Sequence, residues 1–173
     1  MGDGRDWTFV LTDLCTECGV DVQDLDEREL GGLIRSAGRT WQLMLTDHTH
    51  DAATTARPAP DIWSPVEYGE HVRDVLVLYR QRVELMLTQA DPMFADWDPD
   101  TSSADYGQTD PAVVGGQIAT AADDLAARYD PLDESALARP GRRSDGASFD
   151  VGSIGRYLLH DVLHHVWDAD HAW

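Results

Sequence analysis

Four stretches of this 173-residue chain carry apolar side chains at helical spacing, and they leave little choice of fold. From about Asp26, residues Leu30, Leu33, Ile34, Ala37, Trp41, Met44 and Leu45 recur at i, i+3/i+4, which puts them on one face of a helix over 27–47. Gly31, Gly32 and Gly38 weaken that helix without forbidding it. Ser64-Pro65-Val66-Glu67 is the clearest helix start. Ser64 suits the N-cap, Pro65 the first helical position, and Glu67 completes a capping box. The helix it opens runs over 64–89, with Tyr68, Val72, Val75, Leu76, Tyr79, Val83, Met86 and Leu87 inward. Asp110-Pro111 repeats the cap-then-proline signal for a helix over 111–129, and Asp150 can cap a fourth over 151–169.

Loops longer than the usual helix–helix connection separate these segments. The expectation is an all-α four-helix bundle with at least one crossover. Residues 7–13, Trp-Thr-Phe-Val-Leu-Thr-Asp, are β-rich but too short for more than an edge segment. Residues 1–25 then form an irregular or β-like N-terminal extension, and the whole of 1–173 is expected to be one domain. Residues 47–63, with His48, His50, Pro58 and Pro60, and residues 91–110 read as loops, and Gly141–Gly146 as a turn.

The last helix carries Tyr157-Leu-Leu-His160-Asp-Val-Leu-His164-His165-Val-Trp-Asp168. Two histidines four residues apart point the same way on a helix, because the helix turns once per 3.6 residues. Such a pair can fill two positions of a transition metal. His71, at or near the buried face of the second helix, is the expected third ligand. Asp161 and Asp168 lie close to the face of His160 and His164, where either could accept the remaining N–H of a metal-bound ring. Three neutral imidazoles leave positions open for water or substrate, the coordination of a catalytic ion. Zinc and nickel both suit imidazole. His165 points about 100° away from His164 and is expected to pack or face solvent. His48, His50 and His171 are expected at the surface.

Cys15 and Cys18, the two cysteines, stand as Cys-Thr-Glu-Cys-Gly. Two cysteines make no disulfide framework. A metal knuckle here needs histidine or carboxylate partners or a second subunit. A redox pair is expected in an α/β fold, which this chain lacks. The bland alternative, two small buried residues in a tight turn ending at Gly19, holds equal ground. By their distance in sequence from the histidine helices, they are expected to be dispensable for activity.

Thirteen basic residues against 32 acidic ones give a net charge of −19. Such a surface repels phosphate backbones and anionic membranes, so neither nucleic acid nor membrane is an expected partner. No run approaches the ~20 apolar residues of a membrane span, and the N-terminus lacks a signal-peptide pattern. A cytoplasmic protein acting on a small-molecule substrate is expected, with a homodimer among the open oligomeric states. All 13 basic residues are arginine.

The runs Trp63–Asp74 (Trp-Ser-Pro-Val-Glu-Tyr-Gly-Glu-His-Val-Arg-Asp) and Arg156–His165 resemble the DinB/YfiT-like family of metalloenzymes. In that family the first histidine comes from the second helix and the other two from a His-x-x-x-His in the last. His71, His160 and His164 occupy those places. Asp6–Leu11, Cys15–Gly19, Arg142–Gly146 and Ser148-Phe149 look like an actinobacterial branch of it. The resemblance implies a bundle holding one divalent metal. It also implies kinship with transferases or isomerases that use mycothiol, bacillithiol or glutathione, the mycothiol-dependent maleylpyruvate isomerase among them. The resulting expectation is a thiol-dependent transferase or isomerase acting on a small electrophile. A metal-dependent hydrolase, with Asp161, Asp168 or Glu67 as general base, and a non-catalytic metal-binding or stress-related protein are the alternatives. No residue is assigned a catalytic role from sequence alone.

Overall fold

The computed structural model describes residues 6–47, 52–97 and 103–171. Six α-helices are found among them: α1 (Leu30–Asp47), α2 (Ala52–Thr55), α3 (Pro65–Thr88), α4 (Pro111–Tyr129), α5 (Glu134–Leu137) and α6 (Val151–His171). The four long ones match the four apolar stripes to within three residues at every end. Three of the four start where their cap chemistry says they should. The Asp110 carboxylate accepts from the Ala112 N–H at 2.9 Å, and the Asp150 carboxylate from the Ser153 N–H at 2.7 Å. Glu67 reaches back to the Ser64 N–H at 2.9 Å and also accepts from its hydroxyl at 2.8 Å.

Around the bundle, α1 packs along α4, α4 along α3, α3 along α6, and α6 along α1. The first and second long helices therefore sit across a diagonal, so the long 47–63 connection is a crossover. α1 and α4 come close because small residues meet. A Cβ on Gly38 would lie 2.4 Å from that of Ala122, and one on Gly31 would lie 3.2 Å from the Ala126 carbonyl. The glycines that weaken α1 as an isolated helix are what let α4 approach it. The core runs through all four long helices, with Trp41, Leu45, Val72, Val83, Ile118, Leu125, Ile154 and Leu158 nearly or wholly buried. The Trp41 indole N–H donates to the Val162 carbonyl at 3.0 Å, tying α1 to the middle of α6.

Three expectations are corrected. Trp7–Leu11 is a 3-10 helix, not a β segment: the Asp6 carboxylate caps it by accepting from Thr8 N–H at 3.0 Å, and no strand among the described residues lies beside it to pair with. Between α5 and α6 the chain forms a hairpin, β1 (Pro140–Arg142) with β2 (Ser148–Asp150), around the expected turn, where Gly146 takes φ +96°. The connection before α3 contains α2. His48 and His50 lie outside the described residues. His171 is exposed and stacks on Trp167 at 4.3 Å. No helix among the described residues is long and apolar enough to cross a membrane.

Candidate metal centre

The rotation of α6 is set by its apolar residues. Ile154, Gly155, Leu158, Val162 and Ala169 turn into the bundle. That leaves two i, i+4 pairs on its flanks, offset by one residue and hence by about 100°. One pair is His160 and His164. The other is Asp161 and His165. The two pairs meet different neighbours.

His165 and Asp161 face α3. Their ligand atoms and one nitrogen of His71 all lie within 4.8 Å of one another. His71 is 8% exposed and sits among aromatic rings: the His165 imidazole meets it edge-on at 4.8 Å, with Trp63 at 5.5 Å and Trp97 at 5.6 Å. Its Nδ1 is buried and has no hydrogen-bond partner among the described residues. On His165, Nδ1 lies 2.7 Å from Asp168 Oδ2, and Nε2 faces Asp161 Oδ1 at 3.6 Å. With Nδ1–H donating to the Asp168 carboxylate, the neutral ring keeps its lone pair on Nε2, on the side of the cluster.

His160 and His164 face the N-terminal arm. Here Cys15 Sγ lies 3.7 Å from His164 Nδ1, and Cys18 Sγ 3.6 Å from His160 Nε2. The four ligand atoms again lie within 4.8 Å of one another. Cys15 and His160 are almost fully buried, and both cysteines are free thiols.

The protonation states follow from burial and neighbours. Burial, with His165 adding, pushes His71 down to about 4, and burial, with His164 adding, pushes His160 down to about 4. Burial also lowers His164. These rings are neutral near pH 7 and keep a lone pair free. His165 moves the other way: burial opposes the charge, but the Asp168 hydrogen bond and the Asp161 carboxylate outweigh it. Burial raises the Cys18 thiol to about 11, so without a cation nearby it is no reactive thiolate.

His71, Asp161 and His165 from one group and His160 and His164 from the other line one cavity of about 660 Å³. Its walls carry the aromatic rings of Trp7, Trp63, Tyr68, Trp97 and Tyr157, the cationic Arg82 and Arg143, and carboxylates that include Glu17, Asp61 and Asp96. Arg143 is paired with Asp145. Arg82 is not paired: 8% exposed, it makes no hydrogen bond or ion pair among the described residues, its Nε is an orphaned buried donor, and its guanidinium lies over the rings of Tyr79 at 5.1 Å and Phe94 at 5.3 Å.

Of the expected trio of His71, His160 and His164, the structure brings the last two together and groups His71 with other residues. His71 joins His165 and Asp161, while His160 and His164 join the cysteines. His165, expected to pack or face solvent, stands among the ligand-type residues. So does Asp161, expected beside a ligand ring. Asp168 hydrogen-bonds His165 and has its other oxygen 3.8 Å from His164 Nε2. Glu67 is held by Arg57 at 2.6 Å and by Ser64, and it does not line the cavity, so it is not placed to act as a base there. The missed signal was in the sequence: Asp161-x-x-x-His165 has the same spacing as His160-x-x-x-His164.

A helical bundle with metal-ligand side chains converging from two of its helices on a cavity is a recurrent metalloprotein architecture. The model of the DinB superfamily matches residues 33–169, and the chain belongs to that superfamily. Among solved structures it is similar to YfiT from Bacillus subtilis, described as a probable metal-dependent hydrolase with an unusual four-helix bundle topology. The two share 14% identity at a TM-score of 0.73, over 86% of this chain and 90% of that one. At that identity the likeness is one of fold. No curated protein matches the chain.

Proposed function

We propose that this protein is a metal-dependent enzyme whose ion is held by His71, Asp161 and His165, and that it transfers or isomerises small electrophiles with a low-molecular-weight thiol. The observation that carries the metal reading is the buried, orphaned His71 Nδ1 beside the half-buried Asp161 and His165. Buried polar atoms in native proteins are almost always satisfied, and a cation satisfies converging lone pairs. Three protein ligands leave room for an exogenous one, as catalytic sites require. Zinc and nickel are the ions we expect for such a donor set.

A divalent ion there would supply the positive charge that lowers the pKa of a thiol or a water brought beside it. The protein's own contribution is positioning. Asp168 fixes the His165 tautomer, and Trp63 and Trp97 wedge the His71 ring. The cavity is large enough for a thiol and an electrophile together. Arg82, cationic, buried and unpaired, suits a carboxylate on the substrate better than a neutral group. The hydrolase reading draws its support from the description of YfiT.

Two measurements test this. Metal-loaded protein is assayed with mycothiol, bacillithiol and glutathione against a panel of electrophiles. Turnover that needs both metal and thiol supports the proposal; equal turnover without thiol gives the hydrolase reading the advantage; none across the panel favours a non-catalytic metal protein. Arg82→Gln should raise KM for carboxylate-bearing electrophiles by about tenfold, the loss of one charge-assisted contact, and leave neutral ones unchanged. An equal effect on both kinds would remove Arg82 from substrate binding.

A further inference from the structure

We propose that Cys15, Cys18, His160 and His164 form a second metal site, a closed tetrahedral zinc site that fastens the N-terminal arm to α6. The geometry is that of a Cys₂His₂ centre. With Zn–S of about 2.3 Å and Zn–N of about 2.0–2.1 Å at tetrahedral angles, each S···N edge should measure about 3.6 Å. Two S···N distances measure 3.7 and 3.6 Å and pair each sulfur with a different histidine, and all four ligand atoms lie within 4.8 Å of one another. The turn is built for it. Gly19 takes φ +72°, which a side-chain-bearing residue rarely adopts. The Gly19 N–H donates to the Cys15 carbonyl at 2.9 Å, and the Cys15 N–H to the Val20 carbonyl at 3.2 Å, so both sulfurs are presented to the same side. The free ring nitrogen of His164 looks toward Glu17 and Asp168, each at 3.8 Å, acceptors for the proton that a metal-bound imidazole must carry there.

Four protein ligands leave no open position, so the site is structural rather than catalytic. Such a fastening would add to the arm's own contacts, which are a small apolar cluster with Val10, Cys15 and Val22 fully buried and the Arg156 guanidinium donating to the Gln23 carbonyl at 2.6 Å. The cysteine turn precedes the region matched by the superfamily model, residues 33–169, whereas His160 and His164 lie within it, so the arm brings two of the four ligands to the bundle from outside that region. Through this site Trp7, packed 5.0 Å from the His164 ring, becomes a fixed wall of the cavity. The proposal does not depend on the reading of His71, Asp161 and His165.

The test uses the intact protein loaded with cobalt, then with zinc. Cobalt-loaded wild type should show an intense near-ultraviolet sulfur-to-cobalt charge-transfer band. The band should vanish in His164→Ala and persist in His165→Ala and His71→Ala. In the zinc form both thiols should resist a thiol reagent until a strong chelator is added, after which both react. A cobalt protein without the band, or thiols equally reactive with and without zinc, would overturn the site whatever happens at His71. A band retained in His164→Ala would remove that residue from it. The thiol measurement needs no variant, so a folding defect in His164→Ala does not shield the proposal.

Discussion

Asp168 is the residue through which the metal reading can be tested without touching a ligand. Its carboxylate sits 2.7 Å from His165 Nδ1 and is 20% exposed, so the contact is a charge-assisted hydrogen bond only partly screened by solvent. Partners of this kind hold the ring in orientation and raise its basicity, and their loss costs about 10–100-fold in metal affinity, or about 1.4–2.7 kcal/mol. Two substitutions separate the contributions. Asp168→Asn can still accept from the ring N–H but carries no charge, and should weaken the His71–Asp161–His165 ion by about tenfold. Asp168→Ala loses the acceptor as well and should approach about a hundredfold. Asp170, exposed on the same last turns of α6, is the control, and Asp170→Ala should change nothing. Affinity is read by competition with a chelator on cobalt-loaded protein. The sulfur charge-transfer band follows the cysteine site, and cobalt released while that band stays unchanged follows this one. Asp168→Ala with affinity within about twofold of wild type and unchanged helical circular dichroism would refute the orientation of His165 argued here.

Three further outcomes follow from the fold. Trp41→Phe removes the indole donor to Val162 and part of a wholly buried ring, and should cost about 1–3 kcal/mol in urea unfolding; a loss under about 0.5 would mean the contact does not hold α6. Burial opposes the Glu67 charge, but Arg57 and Ser64 outweigh it and hold the carboxyl below its ordinary 4.5. A depressed carboxyl contributes stability above its unfolded value and loses it as pH falls through the folded one. Thermal melts should therefore drop as pH falls below about 4.5, and Glu67→Gln should be less stable at neutral pH and flatter in acid; a parallel acid profile would exclude Glu67 as a cause. Gly116→Ala, with open space around the new Cβ, should stabilise α4 by about 0.5–1 kcal/mol. Gly155→Ala would put its Cβ 2.7 Å from the Tyr129 hydroxyl oxygen and should destabilise by about 1–3 kcal/mol; the same sign for both would contradict the packing.

The helices were legible because each long one needs the same thing from its residues, an apolar face at helical period and a cap, and both are local. The 3-10 turn at Trp7–Leu11 was not: its β-rich composition says what the side chains prefer on a sheet, and only the lack of a strand to pair with among the described residues decides against it. The hairpin of β1 and β2 escaped for a related reason, since three-residue strands carry no periodicity to read. The candidate site shows the limit more sharply. The i, i+4 spacing places His160 and His164 side by side, and the structure keeps them so, but it is silent on which neighbour that face meets. That depends on how far α6 is rotated about its axis, which its core residues decide, and a rotation of one residue exchanges one pair for the other.

That sensitivity makes the consecutive pairs on α6 informative. His160 and Asp161, and again His164 and His165, are adjacent in sequence, yet each member joins a different group. A helix whose rotation drifted by a fraction of a residue would misplace both sets of ligands together. Two contacts oppose that drift from different sides: the Trp41 indole on the Val162 carbonyl, midway between the pairs, and the cysteine turn against His160 and His164. If the cysteines bind zinc, then removing them should do more than free the arm. It should loosen the rotational setting of His165 and Asp161 and weaken the other ion as well, although neither cysteine belongs to that group. The expectation from sequence distance that Cys15 and Cys18 are dispensable for activity is thus opposed by geometry, since they are tied to the residues next to the ones that face α3. Cys15→Ser with Cys18→Ser should lower cobalt affinity at the His71 group about as much as losing one orienting partner, about tenfold. Unchanged affinity there, with the arm's thiolate band gone, would show that the core alone sets α6 and that the two groups are independent.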